Sequence, residues 1–97
     1  MVREYLIRPN DDWFNLHKDD FSQALRPLTF RSEPIAGSGD HRIKVEGIEI
    51  AFSFEDPGIH ISFAGEINGE IADQIVDEIL KNIEATIGQS GRVVPLS

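Results

Sequence analysis

The sequence predicts an α+β fold: an antiparallel β-sheet of four to five strands with two α-helices packed on one face. Two stretches of the chain support this prediction. Residues 48–67 form two arms that alternate apolar and polar side chains, as the strands of a half-buried β-hairpin do. Residues 69–87 repeat apolar side chains at steps of three and four, as an amphipathic helix does. Because neither apolar surface is stable in water by itself, we expect the helix to pack on the hairpin.

The hairpin is the clearest element of the sequence. Its arms meet at Glu55-Asp56-Pro57-Gly58, and Pro57 cannot take the positive φ of a tight primed turn, so we expect a four-residue loop. In the register that this loop sets, the apolar side chains of both arms share one face. The expected apolar pairs are Phe54–Ile59, Phe52–Ile61 and Ile50–Phe63.

A third strand is predicted directly before the hairpin. Residues 42–46 alternate in the same way, and the phase of the apolar residues shifts at Glu46-Gly47. A two-residue turn there pairs Val45 with Ile48 and makes a three-stranded meander, which is the interpretation we favour. The alternative is one long strand with a bulge at Gly47.

The two ends of the chain supply the outer strands. Residues 2–8 hold a short apolar run that Pro9 ends, and we interpret it as a strand. Residues 92–96 are interpreted as a final short strand. Pro95 removes a hydrogen-bond donor from this strand, so the strand belongs at an edge of the sheet or ends there.

The two predicted helices differ in the clarity of their ends. The second helix follows the N-cap residue Asn68 and ends before Gly88, which bounds it at residues 69–87. The first covers residues 13–25, where apolar side chains recur at helical spacing. Adjacent aspartates interrupt this pattern, so the segment is either one helix of about four turns or a turn followed by a shorter helix.

The net charge of −8 arises in the second half of the chain, where residues 46–97 hold ten acidic residues against Lys81 and Arg92. An acidic field repels phosphate backbones and anionic lipid, so we expect neither nucleic acid nor a membrane as a partner, and a basic protein suits the charge better. The 97 residues suit a single domain, residues 1–97. The chain has no cysteine and no apolar stretch close to the roughly 20 residues of a membrane span, so we expect a cytoplasmic protein.

Few side chains suggest catalysis or metal binding. Ser53 and His60 face each other across the predicted hairpin, but the sequence shows neither an oxyanion hole nor a third group to orient the base. Asp40 and His41 adjoin a flexible loop, and a loop aspartate followed by a strand histidine explains them more simply. His41 and His60 are expected on opposite faces of the sheet, and His17 on the apolar side of the first helix. We therefore expect no enzymatic activity, no metal site and no cofactor.

Two surfaces are candidates for recognition. The first is the acidic side of the second helix, which an ordinary solvated face also explains; its residues are Glu70, Asp73, Asp77, Glu78 and Glu84. The second is the outer face of the hairpin, where small side chains leave a flat surface suited to a dimer contact; its residues are Ala51, Ser53, His60, Ser62 and Ala64.

These surfaces lead to three hypotheses for function. The first is a non-catalytic protein-binding module that masks a basic partner surface, as inhibitors and toxin-immunity proteins do, and it rests on analogy in size and charge. The alternative is a self-associating structural or accessory domain, a homodimer through the outer hairpin face. The least favoured is a small enzyme or ligand binder centred on Ser53 and His60 or on Asp40 and His41.

Overall fold

One antiparallel sheet of six strands organises the protein in a computed structural model that describes residues 3–55 and 58–96. The strands are β1 (Arg3–Pro9), β2 (Ser32–Pro34), β3 (His41–Val45), β4 (Ile48–Glu55), β5 (Gly58–Ala64) and β6 (Gly91–Pro95). They lie in the order β2-β3-β4-β5-β1-β6. The helices are α1 (Phe21–Ala24), which follows a 3-10 turn at Lys18–Asp20, and α2 (Gly69–Ile87). The predicted α+β class is confirmed, with one strand more than the four to five expected.

The predicted meander is also confirmed. β4 and β5 pair in the expected register, with Phe52 opposite Ile61, and the pairing continues to Glu55 and Gly58. The predicted four-residue loop includes residues 56–57, which lie outside the described residues. Val45 pairs with Ile48 across a two-residue turn. The backbone of that turn has φ values of 51° and 77° at its two central residues, which is type I′ geometry, so the bulge alternative is wrong.

Helix α2 has the bounds that its end signals predicted. The Asn68 side chain accepts hydrogen bonds from the backbone N–H groups of Glu70 at 2.8 Å and Ile71 at 3.3 Å. These bonds satisfy two donors that the first turn of a helix leaves free. At the other end Gly88 takes the left-handed conformation, and its N–H donates to the Glu84 carbonyl.

The first predicted helix is much shorter than residues 13–25. The second alternative, a turn followed by a short helix, is closer to the structure, because α1 contains only four residues. Trp13 is 59% exposed, and His17 is exposed at the start of the 3-10 turn, so the apolar side predicted for this helix is not buried at these two residues. Tertiary contacts hold this segment instead: the Asn82 side chain donates to three carbonyl groups at the end of α1, the nearest at 2.7 Å.

The strand that the sequence did not predict, β2, forms one edge of the sheet, and β6 forms the other. Leu96 donates its N–H to the Glu4 carbonyl. Because hydrogen-bonded and non-hydrogen-bonded pairs alternate, Pro95 therefore directs its backbone away from β1. Pro34 has the equivalent position on β2, since the next residue, Ile35, donates to β3. At each edge a proline replaces an outward-facing donor, which hinders pairing with a further strand.

Both helices cover the same face of the sheet. The largest buried strand side chains are Tyr5, Ile7, Ile43, Ile50, Phe52, Ile59, Ile61 and Phe63, and α2 contributes Ala72, Ile75, Val76, Ile79, Leu80 and Ile83. The strand side chains of the opposite side form a surface that we call the open face, on which no helix of the described residues packs. Neither helix in this part of the chain is long and apolar enough to cross a membrane.

Candidate functional site

The candidate pair Ser53 and His60 has the predicted register but not a catalytic arrangement. The two residues are opposite each other on β4 and β5. His60 Nε2 lies 3.0 Å from Glu4 Oε1, so a carboxylate from β1 holds the imidazole. Among the described residues, no hydrogen bond joins the Ser53 hydroxyl to His60, and both side chains lie on the broad open face. A serine nucleophile requires a base in contact with its hydroxyl, and in the described part of the chain His60 contacts Glu4 instead.

The side chains of Asp40 and His41 also have different partners and do not form a catalytic pair. Asp40 Oδ2 accepts a hydrogen bond from the Phe54 N–H at 2.7 Å. His41 lies on the helix-covered side, with its ring centroid 5.9 Å from those of Phe21 and Phe52. Its Nε2 has no hydrogen-bond partner in the described part of the chain, and burial lowers the pKa of the imidazole. His41 is therefore a neutral aromatic neighbour rather than a base activated by Asp40.

A cleft of about 510 Å³ lies at the β2 edge of the sheet. Its lining consists of Arg31, Ser32, Glu33, Lys44, Glu46 and Gly47. The four charged side chains are all exposed and balance one another in sign. Neither candidate catalytic pair belongs to this cleft. Within residues 3–55 and 58–96, no three histidine, aspartate or glutamate side chains gather in a way that would hold a metal ion.

Glu78 does not belong to an exposed acidic surface, which corrects the expectation for this residue. It is only 9% exposed. One carboxylate oxygen accepts from the N–H groups of Leu28 at 2.8 Å and Thr29 at 2.6 Å. The other accepts from the Thr29 hydroxyl at 2.6 Å and from Gln74 at 3.2 Å. Burial by itself would raise the pKa of Glu78, but these hydrogen bonds outweigh it and lower the pKa.

Two other predicted acidic residues also have intramolecular roles. Asp73 accepts the hydroxyl hydrogen bond of Tyr5 at 2.7 Å. Burial, reinforced by this hydrogen bond and by the charge of Asp73, raises the pKa of Tyr5 to about 12. Glu84 accepts from the Gly91 N–H at 3.1 Å and so connects α2 to β6. These carboxylates join α2 to the sheet and are less free to meet a partner than the sequence suggested.

Glu70 and Asp77 are exposed, as Asp73 is, but within the described residues no hydrogen bond joins their side chains to the sheet. Asp77 pairs with Lys81 at 3.2 Å across one helical turn, a contact in which both side chains are more than half exposed. Such exposed pairs contribute little to stability. Glu70 and Asp77 can therefore be changed with little expected effect on the fold.

The five residues predicted for the dimer face all lie on the open face. Their small members form a level area on β4 and β5, which we call the shelf; it comprises Ala51, Ser53, Ser62 and Ala64. Beside it, β1 and β6 carry a row of larger apolar side chains, which we call the ridge; it comprises Leu6, Val94 and Leu96. Leu96 is 51% exposed. The ridge could not be predicted from the sequence, because only the strand order brings β6 and β1 beside the hairpin.

The acidic and basic side chains on the strands of the open face are equal in number. The open face carries the acidic side chains of Glu4, Glu33, Glu49 and Glu55 and the basic side chains of Arg8, Arg42, Lys44 and Arg92. Four acidic and four basic residues cancel. The other thirteen of the 17 acidic residues and five of the nine basic residues belong to the rest of the chain, which therefore carries the whole charge of −8.

Comparison of the chain with protein-family models, with curated proteins and with solved structures found no match. A function for this protein is therefore argued from its own surfaces. Two of them differ in character: the exposed surface of α2, which carries acidic side chains, and the charge-balanced open face.

Proposed function

We propose that this protein is a non-catalytic protein-binding module whose acidic, helix-bearing side receives a basic surface of a partner protein. The observation that supports the proposal is the division of charge, since the net charge of −8 lies entirely outside the open face. A one-sided acidic field accelerates the approach of a basic partner and orients it toward that side. Small acidic proteins of this type act as inhibitors or as immunity proteins, a comparison based on size and charge.

The acidic surface that the sequence suggested needs revision before it can be tested. Replacing Asp73 or Glu78 would disturb hydrogen bonds to Tyr5 and to Thr29, so a binding defect in such variants would not separate recognition from folding. Glu70 and Asp77 are exposed and have no comparable role. The double variant Glu70→Gln/Asp77→Asn removes two negative charges from the acidic side and leaves the packing of α2 unchanged.

The matched control removes the same charge from the other side of the sheet. Glu33 and Glu55 are both exposed on strands of the open face, so Glu33→Gln/Glu55→Gln changes the net charge equally. Immobilised wild-type protein and both variants are exposed to an extract of the cells that make the protein, at low and moderate salt. Proteins that the wild type enriches are identified, purified and measured for association rate.

We expect the wild type to bind a basic protein with an association rate that falls as salt rises. The Glu70→Gln/Asp77→Asn variant should associate more slowly and with a weaker salt dependence, and the control variant should behave like the wild type. If both variants bound the partner equally well, the acidic side would not be the recognition surface and the proposal would fail.

A further inference from the structure

We propose that residues 16–22, a segment that we call the flap, detach from the sheet when the imidazole of His41 gains a proton. This inference goes beyond the proposed function, because it concerns a conformational change within the chain rather than a partner. Three observations support it: the flap has few attachments of its own, a buried ring nitrogen of His41 lies beside it, and the neighbouring charges do not compensate for a proton there.

The flap lies between two segments that are hydrogen-bonded to other elements. Before it, the Gln89 side chain accepts from the Asn15 N–H at 2.6 Å. After it, the Asn82 side chain donates to the Gln23 carbonyl at 2.7 Å. In the described part of the chain, the hydrogen bonds of the flap itself stay within it or reach no further than Leu25. The flap can therefore open locally while both neighbouring attachments hold.

The Phe21 side chain holds the flap on the sheet. It is 9% exposed, and its ring centroid lies 5.0 Å from that of Phe54 and 5.9 Å from that of His41. His41 in turn lies 5.9 Å from Phe52, its neighbour on β4. Leu16, at the other end of the flap, is only partly buried. The flap thus depends on an aromatic cluster in which one ring can ionise.

His41 has a buried nitrogen in this cluster. Its Nε2 atom has no hydrogen-bond partner among the described residues. A neutral imidazole tolerates such a position, but an imidazolium has a hydrogen on both nitrogens and carries a full positive charge. A charge among apolar rings without an acceptor is costly, and burial accordingly lowers the pKa of His41. The proton is therefore bound more readily when the flap is open and water reaches Nε2.

The charged groups on the elements around His41 do not offset this cost. The carboxylate of Asp40, the preceding residue, accepts from the Phe54 N–H at 2.7 Å. The carboxylate of Asp20, on the flap, lies 3.3 Å from the His17 N–H, from which it accepts. The other charged side chains of these elements are exposed or paired on the open face; they are Lys18, Asp19, Glu33, Arg42, Lys44, Glu49 and Glu55. Protonation therefore adds a charge that the closed flap does not neutralise.

The expected size of the effect follows from the two protonation equilibria. With the flap open, His41 should have the ordinary histidine pKa of about 6.5. If the closed form binds no proton, the ratio of open to closed molecules rises about tenfold from pH 7.5 to 5.5. The rings of Phe21 and Phe52, near the limit of about 6 Å for a cation–π contact, reduce this factor somewhat. We therefore expect an increase of about three- to tenfold.

Amide hydrogen exchange followed by NMR at pH 7.5 and 5.5 tests the inference. The rates are first corrected for the intrinsic dependence of exchange on pH. Two amides report on the flap: the Asp20 N–H, which donates to the His17 carbonyl at 2.9 Å, and the Phe21 N–H, which donates to the Lys18 carbonyl. Their protection should fall about three- to tenfold at the lower pH, while the paired amides of β4 and β5 keep theirs.

Variants of the three histidines identify the group that titrates. His41→Phe keeps an aromatic ring but binds no proton, so flap protection should be the same at both pH values. His41→Leu serves the same purpose if far-UV circular dichroism shows that His41→Phe does not fold. The controls are His17→Gln, in the flap, and His60→Gln, on the open face. Both controls should respond to pH as the wild type does.

Four results would overturn the inference. Flap protection in the wild type could be equal at the two pH values, or the His41 variants could lose it as the wild type does. The effect could vanish in His17→Gln, which would assign it to the exposed histidine of the flap. The amides of β4 and β5 could lose protection by the same factor as the flap, because the proton would then unfold the whole domain.

Discussion

Glu78→Ala provides the sharpest test of how the segment before β2 is held on the helix. The carboxylate of Glu78 accepts four hydrogen bonds, of which three come from Leu28 and Thr29, about 50 residues earlier in the chain. The fourth comes from Gln74, one turn earlier on α2. Removing the carboxylate leaves two backbone N–H groups and the Thr29 hydroxyl without their acceptor.

The expected loss follows from these contacts. A net value of about 1 kcal/mol for each of four hydrogen bonds, set low because water can reach the partly buried donors, gives about 4 kcal/mol. The variant also removes the cost of burying a carboxylate, which offsets part of this loss. We therefore expect the free energy of unfolding to fall by about 3 kcal/mol. For a domain of this size that corresponds to a decrease in Tm of about 12–24 °C.

Urea denaturation followed by far-UV circular dichroism at neutral pH measures this effect, with Asp77→Asn as the control. Asp77 is the adjacent residue but is exposed, so its replacement should change the free energy of unfolding by no more than about 0.5 kcal/mol. The pKa of Glu78 is lowered in the folded state. Its contribution is therefore present above the unfolded pKa of about 4.5 and is lost as pH falls through the lower folded value.

The comparison between the two carboxylates determines whether the reasoning holds. A loss below about 1 kcal/mol for Glu78→Ala would mean that the hydrogen bonds contribute little, and the account of residues 28–29 would be wrong. An equal loss for Glu78→Ala and Asp77→Asn would refute it as well, because it would assign the effect to helix charge rather than to the buried contacts.

Two further predictions concern the sheet. Glu46 has a φ of 51° in a type I′ turn. Because asparagine tolerates this conformation better, Glu46→Asn should raise the free energy of unfolding by about 0.5–1 kcal/mol. Urea denaturation measures this gain, with Glu33→Asn as the control, and the absence of a gain would contradict the assigned turn. Burial lowers the pKa of His41 in the folded state. Below the unfolded pKa of about 6.5, the unfolded chain therefore binds a proton more readily than the folded chain does, and the free energy of unfolding decreases as the pH decreases. His41→Phe should remove this part of the pH dependence in urea titrations between about pH 7.5 and 5.5; an unchanged pH profile would show that His41 does not cause it.

Local patterns in the sequence predicted those elements whose geometry depends on residues close together in the chain. The period of two in residues 48–67 and the shift of phase at Glu46-Gly47 predicted the register of β3, β4 and β5. The N-cap Asn68 and the terminal Gly88 predicted both ends of α2. These features depend on backbone geometry, turn chemistry and side-chain alternation, all of which act over a few residues.

The candidate surfaces were only partly predictable. The residues of the shelf were found because alternation along two paired strands determines which side chains share a face. Glu78 was misjudged, because helical periodicity alone does not show that residues 28–29 reach across to it. Glu4 was missed for the same kind of reason: it meets His60 only because β1 pairs with β5.

Tertiary structure alone decided the strand order, the length of α1 and the charge balance of the open face. Strand order depends on which apolar edges pack together at large sequence separation, and no local pattern encodes that choice. The segment before β2 follows contacts from Asn82 and Glu78 rather than its own helical spacing. The charge of −8 could be counted from the sequence, but its absence from the open face required the sheet, because only a folded chain brings distant strands side by side.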